Sequence, residues 1–581
     1  MAGLDASTAP ASDRAGASWR DGTIALVLAT AATTLLLATG PDFGMVWDEG
    51  YTVRRERLLD DWFRLVATPL QRGGGWAAFE KSRLDHNWPF SREEPDGHPP
   101  FYALLGLAGW RASRRWLPPL EAYRLGPMVL TGLTVGVLYL HLARRRGRLA
   151  GFLGAAFFLL MPRVFAHAHY AHYDMPMTCL WLIAQCAFVA SLQSRWWAVA
   201  CGVALGLSAG TKFTGLFAAA PPIAWVTCYE LLPFVIRRGA KARGNDRAGW
   251  PGLKALAIGL PIAALTLYAI QPAWWQAPVS GLHRFLVSNL TRAKTQPVPT
   301  LYLGKVYEFA LPWHNTLVLT AVTTPLVILA LGTIGLAVCM TRRREDRWAL
   351  IWPLSWATLM IVRALPNAPG HDGIRLFLPS VASLAVLAGL GACWLAERFP
   401  RPWATVVALL LPAAAAGECL VGMARTYPYT DSYYNAAIGG LPGAERLGFE
   451  LTYYWETTGP EFLDWVRAQA RRGPVELCFT MDAVNHKLLR EWGDIPPAVK
   501  ILDLNVLDRD AVTPTRPDYV LQRRESLYYP RHWWLERHGH PRFVIRREGV
   551  DLLRVFPSEE FVESVRQTAH EPVPHYLYSR R

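Results

Sequence analysis

No Cys-x-x-Cys pair occurs in this sequence: its eight cysteines are scattered, and all but Cys478 lie in or beside apolar runs. That spacing excludes a disulfide framework and the usual structural zinc sites. There is no internal repeat, and no low-complexity stretch beyond the Ala-, Ser- and Gly-rich residues 1–21. The missing repeat argues against solenoids and against the paired halves of many transporters. After residue 425 no apolar run is long enough to cross a bilayer.

What is present is apolar bulk interrupted by charge. Of 581 residues, 52% are apolar, 25 are Trp and 18% are charged, yet the mean hydropathy is +0.13. Long apolar spans mixed with charged loops produce such numbers, as in a polytopic α-helical membrane protein. The net charge of +14 is not a nucleic-acid footprint, because the basic residues cluster in short runs between apolar segments. The positive-inside rule produces that clustering.

Apolar runs fall near 23–40, 124–143, 149–165, 173–192, 196–211, 213–233, 252–271, 315–340, 347–363, 374–396 and 402–424. The first reads as an uncleaved anchor behind a cytoplasmic tail (1–21), since many spans follow. The basic runs 144–148, 237–247, 342–344 and 397–401 all face the cytoplasm only if the short stretch His98–Trp110 is interfacial or re-entrant. Eleven spans result, with thirteen as the alternative count. The domain map is then 1–21 tail, 22–424 transmembrane domain with outer loop 41–98, and 425–581 outside the membrane. In that last part Val475–Thr480, Lys500–Leu504, Pro517–Gln522 and Phe543–Phe556 read as strands and Glu461–Arg471 as a helix, giving a small α/β domain.

In this orientation the unusual polar residues collect at the outer ends of the spans. Met45-Val46-Trp47-Asp48-Glu49-Gly50-Tyr51 places two carboxylates just past the first span, where a charge needs water or a partner. Tyr51, Leu58, Leu59, Trp62 and Val66 then mark one face of an interfacial helix. The acid pair reads equally as a solvated loop. His98-Pro99-Pro100-Phe101-Tyr102 opens the short apolar stretch.

Arg163, His167, His169, His172 and Asp174 crowd one turn between spans. They suit hydrogen bonding to a polar substrate better than a metal, since no carboxylate or Cys set accompanies them at helical spacing. Lys212 ends a span, where a snorkelling lysine is the plain alternative. In His371-Asp372-Gly373-Ile374-Arg375 the arginine lies just inside an apolar run. It needs an anion there, either a lipid-linked phosphate or a loop carboxylate. Carboxylates and cations converging at head-group depth suit a displacement on a lipid phosphate ester.

Asp48-Glu49 after the first span, His98 to Tyr102 closing the first outer loop, and Gly206 to Lys212 ending a span together resemble the GT-C membrane glycosyltransferases. The group they are most similar to is the dolichyl-phosphate-mannose–protein mannosyltransferase-like family, which includes bacterial relatives of the aminoarabinose lipid A transferase. Pro297-Val298-Pro299-Thr300, Leu311-Pro312-Trp313 and Gly373 to Pro379 extend the resemblance over most of residues 22–424.

The resemblance implies a polyprenyl-phosphate-linked sugar as donor and inversion at the anomeric carbon. It also implies a multi-pass inner-membrane enzyme whose active site lies outside the cytoplasm. Asp48 would be the general base and Glu49 its neighbour in positioning. Asp174 matches an acidic position of relatives, and Lys212 and Arg375 are expected near the donor phosphate. Read from the residues themselves rather than from the resemblance, Arg163, His167, His169, His371 and His98 complete the candidate substrate-binding set. The acceptor would be a glycan, lipid or protein; no nucleic acid and no cofactor is expected, and a divalent metal is possible but not expected. The histidine-rich turn and Trp313-His314-Asn315 depart from the family pattern. Tyr433-Tyr434-Asn435-Ala436 and Tyr453-Tyr454-Trp455 resemble a segment of some bacterial members and are placed as a cap above the site.

Other classes fit less well. A flippase of lipid-linked sugars favours midplane charges and repeats. A metal-dependent oligosaccharyltransferase would be sensitive to EDTA, and no Asp-x-Asp accompanies the candidate acids. An assembly protein with a degenerate site is disfavoured by the intact Asp48-Glu49.

Overall fold

The computed structural model describes residues 19–69, 74–89, 98–234, 250–291, 298–400, 402–479, 483–503 and 517–574. Most of the expected tail, the basic run 237–247 and Pro297 lie outside the described residues.

The first half of the chain is helical: α1 (Trp19–Thr39), α2 (Trp47–Ala67), α3 (Lys81–Asn87), α4 (Phe101–Ser113), α5 (Pro119–Arg146), α6 (Arg148–Leu160), α7 (Pro162–His169), α8 (Asp174–Ser191) and α9 (Trp196–Ala209). Among the described residues seven helical segments are long and apolar enough to cross a membrane: 19–42, 119–146, 174–191, 213–234, 251–269, 373–396 and 403–426. The pair α6 and α7, bent by 70° where Pro162 begins a new helix rather than extending the old one, makes an eighth if the two count as one broken span. All eleven expected runs are helical, but 196–209 and 326–341 are shorter apolar helices and 351–364 has 14 residues. Length and composition therefore support seven or eight crossings where eleven were expected.

Burial separates these segments into a centre and a rim. Gly373–Ala396 and Asp174–Ser191 are 94% and 89% buried, whereas Trp19–Asp42 and Trp403–Thr426 are each 22% buried. Leu26, Leu409 and Leu410 on the rim are exposed, as lipid-facing residues of a bundle would be. Close backbone approach holds the centre together. A Cβ on Gly335 would lie 1.9 Å from the Leu387 carbonyl, so the helices 326–341 and 378–396 meet through bare glycine.

His98–Trp110 becomes α4, whose thirteen residues extend about 20 Å, less than a ~30 Å hydrocarbon core. It packs on α5 and α2. Helix α2 forms as expected from its pattern, but it buries Arg55, Glu56 and Asp60 alongside Leu59 and Trp62. That polar face turns into the protein.

Helix α5 orients the molecule. Near its start Arg124 pairs with Glu49, and at its end Arg146 pairs with Asp346. The two arginines are roughly 33 Å apart along the axis at ~1.5 Å per residue. The acid pair after α1 and the basic runs at 144–148 and 342–344 thus sit at opposite ends of a membrane-length helix.

A small hairpin, β1 (Thr300–Tyr302) with β2 (Lys305–Tyr307), precedes the last helices of the bundle. Beyond residue 460 a five-stranded sheet forms from β3 (Val475–Phe479), β4 (Val499–Asp503), β5 (Asp518–Gln522), β6 (Phe543–Arg547) and β7 (Val550–Phe556), in the order β4-β3-β5-β7-β6. Strands β3, β4 and β5 are parallel, and β7 runs antiparallel to β5 and β6. The helix Ala483–Glu491 is the crossover that a parallel β3–β4 pair requires. The expected single strand Phe543–Phe556 is a hairpin, turned at Glu548 and Gly549, both with positive φ. Thr480 and Leu504 lie outside the described residues.

Candidate active site

Asp48 and Glu49 occupy the first turn of α2, where the partial positive charge of the helix end favours carboxylates. Neighbours on a helix point about 100° apart, and these two acids meet different surroundings.

Glu49 turns into the protein and is fully buried, as is Arg124. Arg124 Nε and Nη2 donate to its two oxygens, each at 2.8 Å, and the same guanidinium reaches the carbonyls of Gly40, Phe43 and Gly44. Backbone N–H groups of Val46 and Ala171 also donate to Glu49, at 3.0 and 2.7 Å. Expected beside Asp48 as a second working acid, Glu49 is instead placed where it clamps the entry to α2.

Asp48 turns toward a charged cluster drawn from four distant segments. Its Oδ2 accepts from Arg375 Nη2 at 2.7 Å, from the Tyr173 hydroxyl at 2.5 Å, and from the Tyr454 hydroxyl. Arg375 Nε donates to Asp174 at 2.7 Å and its Nη1 to Asp372 at 2.7 Å, while Lys212 Nζ donates to the other oxygen of Asp174. Arg524 closes the set by donating to Asp372 at 2.9 Å. Three carboxylates thus face three cationic side chains, and aromatic faces screen them. The Arg375 guanidinium lies 4.2 Å over Tyr454, and Lys212 lies 4.9 Å over Tyr173. Asp372 holds the left-handed conformation, with φ at 60°. Asp tolerates this better than most residues, and the resulting turn brings Arg375 round to the cluster.

Exposure ranks the three acids. The Asp48 side chain keeps 20% of its surface, against 9% for Asp372 and none for Asp174. Burial pushes the Asp48 carboxyl up, but the Arg375 charge and the Tyr173 and Tyr454 hydroxyls outweigh that and hold it below the usual carboxylate value. It is an ionised, partly open carboxylate with its bonds gathered on one oxygen.

The histidines divide. His172 Nδ1 accepts from the Asp174 N–H at 2.9 Å and lies 3.6 Å from the Asp174 carboxylate. Its other nitrogen meets His167 at 3.4 Å, and His167 in turn lies 3.6 Å from Asp431. Burial pulls His172 down to about 3 despite the acid beside it, so it is neutral at physiological pH. His169 belongs elsewhere: it stacks on Phe43 at 3.9 Å and bonds Thr39 and the Phe165 carbonyl. Among the described residues no group of three or more His, Cys, Asp or Glu is arranged to hold a metal ion.

The remaining expected residues border the cluster. The His98 ring lies 3.7 Å from Tyr173, and His371 Nε2 lies 3.9 Å from Asp372. Arg163 stands back: it donates to the Tyr433 carbonyl and lies over the Tyr434 and Tyr453 rings, fixing the cap segment. That segment does more than cover the site, since Tyr454 bonds Asp48 directly and its carbonyl accepts from Trp47 N. Nothing near Arg524 in the sequence marks it as a site residue.

Residues 118–271, the stretch that holds Arg124, Asp174 and Lys212, match the sequence model of the family described as dolichyl-phosphate-mannose-protein mannosyltransferase. This agrees with the resemblance carried by the motifs. No curated protein matches the chain. Among solved structures it is similar to ArnT from Cupriavidus metallidurans bound to undecaprenyl phosphate, at 15% identity and a TM-score of 0.44, covering 92% of this chain and 98% of that one. The archaeal oligosaccharyltransferase AglB from Archaeoglobus fulgidus, in complex with an inhibitory peptide and a dolichol-phosphate, matches at 13% identity and a TM-score of 0.43 over 83% of this chain and 61% of that one. The Saccharomyces cerevisiae Pmt1-Pmt2 complex bound to the sugar donor matches at 17% identity and a TM-score of 0.31, over 46% and 35%.

Proposed function

We propose that the chain is an inverting glycosyltransferase of a multi-pass inner membrane. It moves a hexosyl or pentosyl group from a polyprenyl phosphate to a hydroxyl or amine of a glycan, lipid or protein. The observation that carries this reading is the partly open Asp48 carboxylate, bonded to Arg375, with Lys212 one carboxylate further on. The family match over 118–271 supports a lipid-phosphate-linked sugar as donor. The site's position at the end of α5 away from the basic runs supports an extracytoplasmic reaction.

In this reaction Asp48 takes the proton from the acceptor as its oxygen or nitrogen attacks the anomeric carbon. The bond from that carbon to the phosphate oxygen breaks on the opposite face, so the configuration inverts. The electron pair stays on the phosphate, a weak base that needs no general acid. Arg375 and Lys212 receive the developing charge and are already oriented by Asp174, which lowers the reorganisation required. Asp372 and Arg524 balance the remaining charge of the cluster. No step runs through a metal ion. Polar groups gathered at one end of the bundle, rather than at mid-depth, favour transfer over lipid translocation.

Asp48→Asn tests the reading. The amide keeps an oxygen for Arg375, Tyr173 and Tyr454 but accepts no proton. Turnover with a polyprenyl-phosphate sugar in proteoliposomes is expected to fall by about two to four orders of magnitude, the range for a positioned base, with membrane insertion unchanged. Near-normal turnover would place the base elsewhere.

A further inference from the structure

About 12 Å along α2 from Asp48, at ~1.5 Å per residue, lies Glu56, which the transfer chemistry does not use. Its side chain is fully buried, and among the described residues neither carboxyl oxygen has a hydrogen-bond partner. A Cβ on Gly106 would come within 1.9 Å of Glu56 Oε1, so at Gly106 α4 meets this carboxyl with bare backbone. A buried carboxyl left without donors is costly, by about 1–3 kcal/mol for a neutral group and more for a charged one.

Glu56 forms part of the wall of a cleft of about 440 Å³ between α2, α4, the start of α5 and the end of the helix Ala483–Glu491. That volume falls in the ~300–1,000 Å³ range of small-molecule sites. Two kinds of surface line it. One is aromatic: Trp110 stacks on the buried Tyr123 at 5.6 Å, and Trp492 lies 6.3 Å from Tyr123. The other is a rim of planar charged groups that largely neutralise one another. Asp60 pairs with Arg64 and Arg111, each at 2.6 Å, and Glu491 pairs with Arg57 at 2.8 Å.

We infer that this cleft is a second, non-catalytic binding site for a saccharide. Aromatic surface suits the C–H faces of a sugar ring, and the paired Arg, Asp and Glu side chains offer in-plane donors and acceptors to its hydroxyls. Neutralised rim charges leave little field for a simple cation, while Glu56 supplies an inner partner for ligand hydroxyls. Burial, with the Glu49 charge added, holds the Glu56 carboxyl well above its usual value. It therefore stays protonated, both donating and accepting. The inference stands on the cleft and does not depend on the transferase reading.

Saturation-transfer difference NMR on the full chain, in nanodiscs free of glycoside detergent, tests this with methyl glucoside, methyl galactoside and methyl mannoside as probes. At least one glycoside is expected to receive saturation. The signal should fall to background in Trp492→Ala, a change at a half-buried residue on the cleft wall, and in Glu56→Ala, and should persist in Asp48→Asn. The inference is overturned if no glycoside receives saturation, if Trp492→Ala leaves the signal unchanged, or if Asp48→Asn alone abolishes it. The last result would put the sugar in the charged cluster instead. Turnover is read separately, so failure here and failure of the transferase reading are told apart.

Discussion

Glu49→Gln separates a clamp from a catalyst. Both members of the Glu49–Arg124 pair are fully buried, and the pair is bidentate. Neutralising one partner leaves the Arg124 charge without its counter-ion in a site water does not reach, a loss of about 3–5 kcal/mol for breaking a buried pair from one side. The loss is not larger because Arg124 keeps its bonds to the carbonyls of Gly40, Phe43 and Gly44. Removing both charges in Glu49→Gln with Arg124→Met strips donors from those three carbonyls but leaves no orphaned charge. A double-mutant cycle should therefore show a coupling energy of about 2 kcal/mol or more, toward the upper part of the range for contacting residues. The assay is unfolding in mixed micelles of increasing dodecyl sulfate fraction, followed by tryptophan fluorescence, with turnover measured in parallel. Activity in Glu49→Gln is expected to fall with the folded population and the seating of α2. If unfolding stays within about 1 kcal/mol of wild type while turnover falls more than about a hundredfold, Glu49 acts in the chemistry and the clamp assignment is wrong.

Tyr454→Phe removes one of three donors to Asp48 Oδ2. A hydrogen bond to a charged group is worth about 1.5–3 kcal/mol, so its loss should lift the Asp48 carboxyl and move the acid limb of the kcat/KM–pH profile upward, with a tenfold or greater fall in rate at low pH. An unmoved limb would mean that Asp48 is not the titrating base. Glu450→Gln addresses stability. Burial raises this carboxyl to about 7 against a usual 4.5, even with Arg524 nearby. The folded state therefore holds its proton while the unfolded chain releases it, and wild-type stability declines as pH rises from about 4.5 to about 7, then levels. This one group contributes about 3 kcal/mol to that decline. The variant should lose that part of the slope in unfolding measured at pH 5 and at pH 8, and an unchanged slope would show that Glu450 is already ionised.

Much of the cluster was legible in the sequence because charge beside an apolar run stands out. Asp48, Asp174, Lys212 and Arg375 each draw attention that way, and the structure brings all four together. Their arrangement was not legible. Sequence reasoning left Arg375 between a phosphate and a loop carboxylate, whereas the structure gives it three carboxylates on three different segments. Glu49 looked like the twin of Asp48 only because its partner Arg124, 75 residues away, passes for the basic flank of a span. Strand periodicity located the sheet but could not distinguish one long strand from a hairpin through Glu548-Gly549. Crossing number was not legible for a related reason: hydropathy reports that a run is apolar, not whether it stays straight or long, and Pro162 breaks one such run while others form shorter helices.

Asp48 and Tyr454 touch across 406 positions of chain, and Arg524 joins through Asp372. A nascent polypeptide that has threaded every hydrophobic segment still lacks part of the charged cluster. The cluster is complete only once synthesis passes residue 524 and the segments around Tyr454 and Arg524 fold back over the bundle.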